Sequence, residues 1–289
     1  MLAATALRSA SLPEQVRQRL STVVGTHQLE LPVLPEVAQQ VITLANKDGV
    51  DLRDLGELIK RDQGLAGNLM RLANSPLYAP PTPLVSLDQV VSRLGLTKVR
   101  EMALIISCSG KVFAVPGHEA TVRLQFRHSL TCGLIAQEIA RGRRMNVEEA
   151  FLGGMLHDIG RPVLLQAIVD FGREAQAKLE PGAIEGACSV LHEMVGSELI
   201  QRWTLPVRLA EAIRHHHEPS KAGSGAAGLS AVIALADDLS HLALAGPKQV
   251  TETQFRDHPV LDTLNLYDDE LDLILAKLPD IANQAKAMG

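Results

Sequence analysis

The sequence predicts an all-α protein, a run of short helices packed on one another. Three observations lead there. Hydrophobic residues make up 46% of the 289 residues but aromatics only 3%, so the core must be aliphatic, which favours helix over sheet. Apolar residues recur at spacings of three and four in segment after segment. No stretch alternates apolar and polar over a useful length, and no internal repeat is visible. The length allows one large domain or two small ones with ample core.

Residues 1–26 predict a separate helix with Pro13 near its first turn. Leu31-Pro-Val-Leu-Pro35 is an extended lead-in, followed at helical spacing by Val37, Val41, Leu44 and Ala45. Asp51 and Asp54 mark the next N-terminus, with Leu52, Leu55 and Ile59 as its stripe. Leu65, Leu69, Leu72 and Ala73 form another stripe, ending at Asn74-Ser-Pro76. Ala79-Pro-Pro-Thr-Pro83 is a stiff connector that no helix crosses. Ser86 with Gln89 has the form of a capping box ahead of Leu87, Val90, Val91 and Leu94, and Gly95 follows as a C-cap. Thr97 opens a helix through Val99, Met102 and Ile106, and Pro116-Gly117 breaks the chain.

The second half carries the chemistry. A long helix places Leu124, His128, Cys132, Ile135 and Ile139 on one inward stripe. Cys188, His192, Val195 and Leu199 do the same in a later helix, which Trp203 and Leu205-Pro206 end. Between them, Phe151-Leu-Gly-Gly-Met-Leu-His157-Asp158-Ile-Gly160-Arg161-Pro162 sets an imidazole beside a carboxylate in an apolar run, with Gly160 and Pro162 expected to stop the helix. His215-His216-His217-Glu218-Pro219 precedes a Gly/Ala-rich stretch, Ser220 to Gly228, expected to be flexible. Ser230, Ile233, Ala234 and Asp237 share a further helical face, Gly246-Pro247 breaks it, and Leu261–Leu278 reads as a last amphipathic helix.

Composition excludes some partners. A net charge of −5 offers no attraction for nucleic acid, and the basic cluster Arg141-Gly-Arg143-Arg144 reads as a solvated helix end. No run approaches the roughly 18 apolar residues of a membrane span, and the N-terminus lacks the features of a signal peptide. Cys108, Cys132 and Cys188 are odd in number and form no CxxC pair, which predicts reduced thiols and a cytoplasmic location.

A buried carboxylate beside a buried imidazole is costly unless something compensates it, and a metal ion is the usual compensator. His128, His157, Asp158, His192, the His215–His217 cluster and Asp237 converge on inward faces, where helical bundles build metal sites. Imidazole with carboxylate suits a divalent transition metal such as Fe, Mn or Zn, one or two per chain, and a shared carboxylate such as Asp158 could bridge two. Zinc-finger spacing is missing. A metal-free polar core, its histidines satisfied by one another and by carboxylates, is the competing reading.

The order of His128, His157-Asp158 and Asp237 resembles the H…HD…D signature of the HD-superfamily phosphohydrolases. Leu31-Pro-Val-Leu-Pro35, Asn74-Ser75-Pro76, Leu94-Gly95, Leu156-His-Asp-Ile-Gly160, His192 with Gly196, Trp203-Thr-Leu-Pro206 and the His-His-Glu-Pro of 216–219 resemble the narrower HDOD family (HD-related output domain) of bacterial signalling proteins, over roughly residues 27–245. The resemblance implies a helical N-terminal layer packed on an HD-like helical core. The boundaries it implies are an extension over 1–26, an N-terminal subdomain over 27–115, the HD-like core over 116–246 and a C-terminal helix and tail over 247–289.

By similarity to the HD-GYP phosphodiesterases, His128, His157, Asp158 and Asp237 would hold one metal, and Asp158, His192, His216 and His217 a second. Any catalytic role would fall to Asp158 and Arg161. Two departures argue against turnover of cyclic di-GMP: no Gly-Tyr-Pro follows Pro219, and Arg161 stands where those enzymes carry lysine. The family implies a regulatory module acting through protein partners, compatible with a homo-oligomer. A metal-dependent phosphohydrolase acting on a nucleotide or other phosphoester is the alternative.

Overall fold

The computed structural model describes residues 7, 11–33, 36–45, 52–74, 82–107, 115–245 and 255–288, and among them every regular element is helical. The Ala79–Thr82 part of the proline connector is described only at Thr82; Asp51, Cys108 and the Gly246-Pro247 break lie outside the described residues. The helices are α1 (Glu14–Gly25), α2 (Glu36–Ala45), α3 (Leu52–Lys60), α4 (Gln63–Ala73), α5 (Leu87–Ser107), α6 (Glu119–Gly142), α7 (Val147–Leu156), α8 (Gly160–Glu174), α9 (Pro181–Arg202), α10 (Val207–Arg214), α11 (Ala227–Ala245), α12 (Val260–Leu264) and α13 (Asp268–Met288).

Two cores form. Helices α2 to α5 bury Val41, Leu55, Ile59, Leu69, Val90, Val99 and Met102 against one another. Local signals start and stop them. Asp62 accepts the Leu65 N–H at 3.0 Å to cap α4. Ser86 accepts the Gln89 N–H at 3.2 Å, while the Gln89 amide oxygen reaches back to Val85 N at 2.8 Å, so the capping box closes one residue early. Gly95, at φ 77°, breaks α5 into two segments, as its C-cap position requires.

The larger core is built by α6 to α13 and also takes in Val16, Leu20 and Val24 of α1, which packs on α8. The lead-in strand of chain is pinned to it: Trp203 donates its indole N–H to the Pro32 carbonyl at 2.9 Å. Met288, at the end of α13, packs against both cores.

Several expectations are corrected. Gly160 and Pro162 do not stop a helix; they start α8, after a three-residue turn at 157–159 whose ends keep right-handed dihedrals. Pro162 sits in the first turn of α8, where its missing N–H costs nothing. Gly160 is not left-handed. It is there for space, because a Cβ would overlap the His192 carbonyl oxygen and approach Gly196 N to 2.9 Å. Leu124 is exposed, since the first turns of α6 bury Val122 and Phe126 instead. Ser220–Gly228 is ordered: Pro219–Lys221 forms a 3₁₀ turn, Gly223 donates to Glu211 at 2.7 Å, and Gly228 already lies in α11. Residues 261–278 hold two helices, separated by left-handed Asn265. Arg143 is no solvated cation: it pairs with Glu270 and donates to the Asn265 carbonyl, tying α6 to the C-terminal helices.

Among the described residues α11 is long and apolar enough to cross a membrane, but it is mostly buried as the central helix against α6, α7 and α13.

Two glycines of this region should respond oppositely to alanine. Gly160→Ala overpacks the α8–α9 contact and should cost about 1–3 kcal/mol. Gly186→Ala in α9 meets nothing within 4 Å and should stabilise by about 0.5–1 kcal/mol, the usual helix gain over glycine. Urea midpoints of the two variants check both signs.

Candidate metal centre

Five segments deliver the polar cluster: α6 brings His128, the α7–α8 turn His157 and Asp158, α9 His192, the end of α10 His216 and His217, and α11 Asp237. Close backbone approach makes this convergence feasible. At Gly154 a Cβ would lie 2.8 Å from the Cys132 carbonyl and from Gly133, so only glycine lets α7 settle against α6 beside His128.

The imidazoles are oriented by backbone carbonyls. His157 Nδ1 lies 2.7 Å from Gly154 O, His216 Nδ1 2.7 Å from Ile213 O, and His192 Nδ1 2.9 Å from Ser189 O and 3.1 Å from Cys188 O. A carbonyl only accepts, so each Nδ1 carries the proton and donates it. In the neutral ring each Nε2 then presents a lone pair. His128 follows the same rule through Ser240, whose hydroxyl donates to Asp237 O at 2.7 Å and accepts from His128 Nδ1 at 3.0 Å.

The lone pairs of His192 and His216 face each other, with His217 beside them. His192 Nε2 is 3.4 Å from His216 Nε2 and 3.1 Å from His217 Nε2. Neither His192 nor His216 has a proton left to put between them. His157 Nε2 and Asp237 Oδ1 are buried without a hydrogen-bond partner. His128 Nε2 lies 2.8 Å from Asp237 Oδ1, yet no donor is directed at that oxygen. Asp158 stands between the two halves, with Oδ1 3.3 Å from His192 Nε2 and Oδ2 3.7 Å from His157 Nε2.

The electrostatics favour a cation at this point. Burial, then the neighbouring histidines, hold His216 well below its ordinary pKa, and burial pushes His192 down to about 4, so both are neutral and ligand-ready at neutral pH. Burial works against ionisation of Asp158 and Asp237, but His157 outweighs it, aided by His192 and Arg161 at Asp158 and by His128 at Asp237; both stay carboxylates. Burial also opposes charge on His157, yet Cys132, Asp158 and Asp237 raise its pKa well above the usual value, so in the metal-free protein its Nε2 also carries a proton, which a bound ion would displace. The donors His128, His157, Asp158, His192, His216, His217 and Asp237 fall into overlapping groups whose ligand atoms lie within 4.8 Å of one another. These His/Asp groups are positioned for metal binding, and their donor set and orphaned atoms fit a transition metal.

The seven residues expected from sequence as ligands fall in these groups, while His215 falls in none of them; its backbone carbonyl accepts from Ser230 at 2.9 Å. Arg161 is beside the centre but engaged, 2.8 Å from Asp158 and 2.8 Å from Glu185. Sequence reasoning missed His241, Ser240 and Glu193. His241, four residues after Asp237, shares its helix face and had a readable signal. Glu193, whose carboxylate lies 3.8 Å from His216 Nδ1, had none. A cavity of about 430 Å³ opens beside His216, His217 and Asp237, walled by Asp238, His258 and Thr263. A larger one of about 590 Å³, between α1, residues 28–32 and α8, touches none of the cluster.

A sequence model of the HDOD domain matches residues 31–219. The chain belongs to the HDOD domain family. Among solved structures, it is similar to an HDOD domain protein of unknown function from Geobacter sulfurreducens, with 25% identity and a TM-score of 0.72, covering 95% of this chain and 99% of that one. Its fold is also that of a candidate metal-dependent phosphohydrolase from Shewanella amazonensis SB2B (17% identity, TM-score 0.69, 94% and 100% covered). A candidate signal transduction protein from Marinobacter aquaeolei VT8 shares it too (24%, 0.67, 99% and 68%). An uncharacterised protein of Treponema pallidum is 24% identical over 196 residues, 65% of this HDOD chain, which spans 38% of that relative's length.

The metal-free HDOD protein should lose stability as pH falls from 7 to 5. Folded His192 stays neutral down to about 4, whereas its unfolded imidazole takes up a proton near 6.5. The unfolded state then binds more protons, and stability falls with pH by about 2 kcal/mol at pH 5 for His192 alone. Urea titrations of chelator-treated protein at the two pH values measure the slope.

Proposed function

We propose that this HDOD chain is a signal-transduction module organised around an HD-type metal centre and acting mainly by binding a protein partner in the cytoplasm. In this reading His128, His157, Asp158 and Asp237 hold one divalent transition metal, and Asp158, His192, His216 and His217 a second. The observation that carries it is the facing of His192 Nε2 and His216 Nε2 at 3.4 Å with both Nδ1 protons already donated to carbonyls. Two buried lone pairs that close repel unless a cation lies between them.

Such an ion, when bound, polarises a phosphoryl oxygen and lowers the pKa of water from 15.7 toward about 7. The chain's own residues divide the remaining work. The carbonyls of Gly154, Ser189 and Ile213 hold three imidazoles in the ligating tautomer. Arg161 holds Asp158 in place and, already paired with Asp158 and Glu185, is not presented to a phosphate. That engagement favours the module over the enzyme, as do the missing Gly-Tyr-Pro and the name of the Marinobacter neighbour. The second reading, a metal-dependent phosphohydrolase, is supported by the 430 Å³ cavity against His216, His217 and Asp237, large enough for a nucleotide-sized ligand, and by the name of the Shewanella neighbour.

Elemental analysis of protein purified without chelator tests the centre: one or two transition-metal ions per chain are expected. Substoichiometric metal after anaerobic reconstitution with Fe(II) and Mn(II) would sink the proposal. Asp158→Asn should lower both metal content and thermal midpoint, the lost linkage amounting to about 4 kcal/mol when free metal is 1,000 times its Kd. Complementation of a deletion strain separates the two readings. The module predicts that Asp158→Asn keeps the phenotype at normal abundance, and complete loss would favour the phosphohydrolase.

A further inference from the structure

Asp237 Oδ1 is the most crowded acceptor of the centre and the least satisfied. It is buried, no donor is aimed at it, and three imidazole nitrogens converge on it. His128 Nε2 is 2.8 Å away, His157 Nε2 3.5 Å and His241 Nε2 3.6 Å. The first two come from the core side. His241 comes from solvent: it lies one helical turn beyond Asp237 on α11, and its side chain is 66% exposed. An exposed side chain is free to turn into water and loses entropy when it does not. The His241 ring instead lies back over the centre, with its centroid 4.5 Å from that of His128 and the planes tilted by 34°. Its ligand nitrogen, that of His128 and an Asp237 oxygen all fall within 4.8 Å of one another.

Resting on the metal-centre reading above, we propose that His241 is a further protein ligand to the ion held by His128 and Asp237, and that it closes that ion's solvent side. Protein ligands that fill every position make a structural centre, whereas catalytic centres keep one position open for water or substrate. His241 would therefore take a position otherwise open to water or substrate, which favours the regulatory reading over hydrolysis at this ion. Its placement on the rim also makes it the ligand that can leave without disturbing the core, since exposed side chains change rotamer on the picosecond-to-nanosecond scale.

Mn(II) titration of the full chain, followed by the relaxation of bulk-water protons, tests this directly. Wild type and His241→Ala are compared, with His241→Gln as a second variant; both keep the fold, because the side chain packs in no core. Removing a ligand should weaken Mn(II) binding at this ion by about 10–100-fold, the range seen even for residues that only orient a ligand. It should also increase solvent access to the bound ion, raising proton relaxation per ion. Imidazole added to His241→Ala should return the relaxation toward wild type by filling the vacated position. Unchanged affinity and relaxation in both variants would overturn the proposal and leave the metal centre standing. Wild type that binds no Mn(II) would overturn the metal centre and this inference together.

Discussion

The structure depends on where three protons go. His157, His192 and His216 each spend the Nδ1–H on a backbone carbonyl one helical turn or less upstream. Helix geometry favours this, because side chains lean toward the helix N-terminus and a histidine can reach the carbonyls three and four residues back, within α9 for His192 and in the turns that follow α7 and α10 for His157 and His216. Once those donors are used, the inward Nε2 atoms are acceptors, and so are Asp158 and Asp237. Against so many acceptors stand only the charge on His157 and the guanidinium of Arg161, and His192 and His216 are left without a donor. The chain has concentrated affinity for positive charge in one place and surrounded it with Leu, Ile, Val and Ala.

The fold serves that concentration. Bringing five segments within ligand distance requires helices to approach more closely than side chains normally allow, and glycine supplies the room. Gly154 meets the Cys132 backbone, and Gly160 meets the His192 carbonyl. The second contact lets α8 lie close against α9 at the level of the cluster, where Asp158 and His192 come within 3.3 Å. Arg161 adds an anchor from the other side, and Ser240 passes the orientation of Asp237's own backbone on to His128.

Much of this was legible in the sequence, for identifiable reasons. His128, His192 and Asp237 lie mid-helix on aliphatic stripes, and a stripe reports the direction of a side chain directly. His157-Asp158 was legible from its apolar surroundings. Gly160 and Pro162 were misread because the residues that stop one helix also start the next, and spacing cannot tell a required left-handed φ from a required close contact. Leu124 was placed inward because a stripe extended at spacings of four drifts around a helix of 3.6 residues per turn. Residues 220–228 looked flexible by composition, yet Glu211 and the start of α11 order them, contacts that no local pattern encodes. His241 was overlooked because it sits on the exposed flank of an otherwise buried helix, where a histidine ordinarily means nothing.

Nitrogen-15 NMR of the histidine rings in the Zn(II)-loaded protein, a diamagnetic form, tests the account most directly, since it reads the tautomer at each ring and which nitrogen bonds the ion. The account predicts that His157, His192 and His216 carry their proton on Nδ1 and that their Nε2 resonances move to metal-bound positions when zinc is added. A proton on Nε2 of His192 or His216, unmoved by zinc, would contradict it, because the two rings would then be bonded to each other and the core would need no cation.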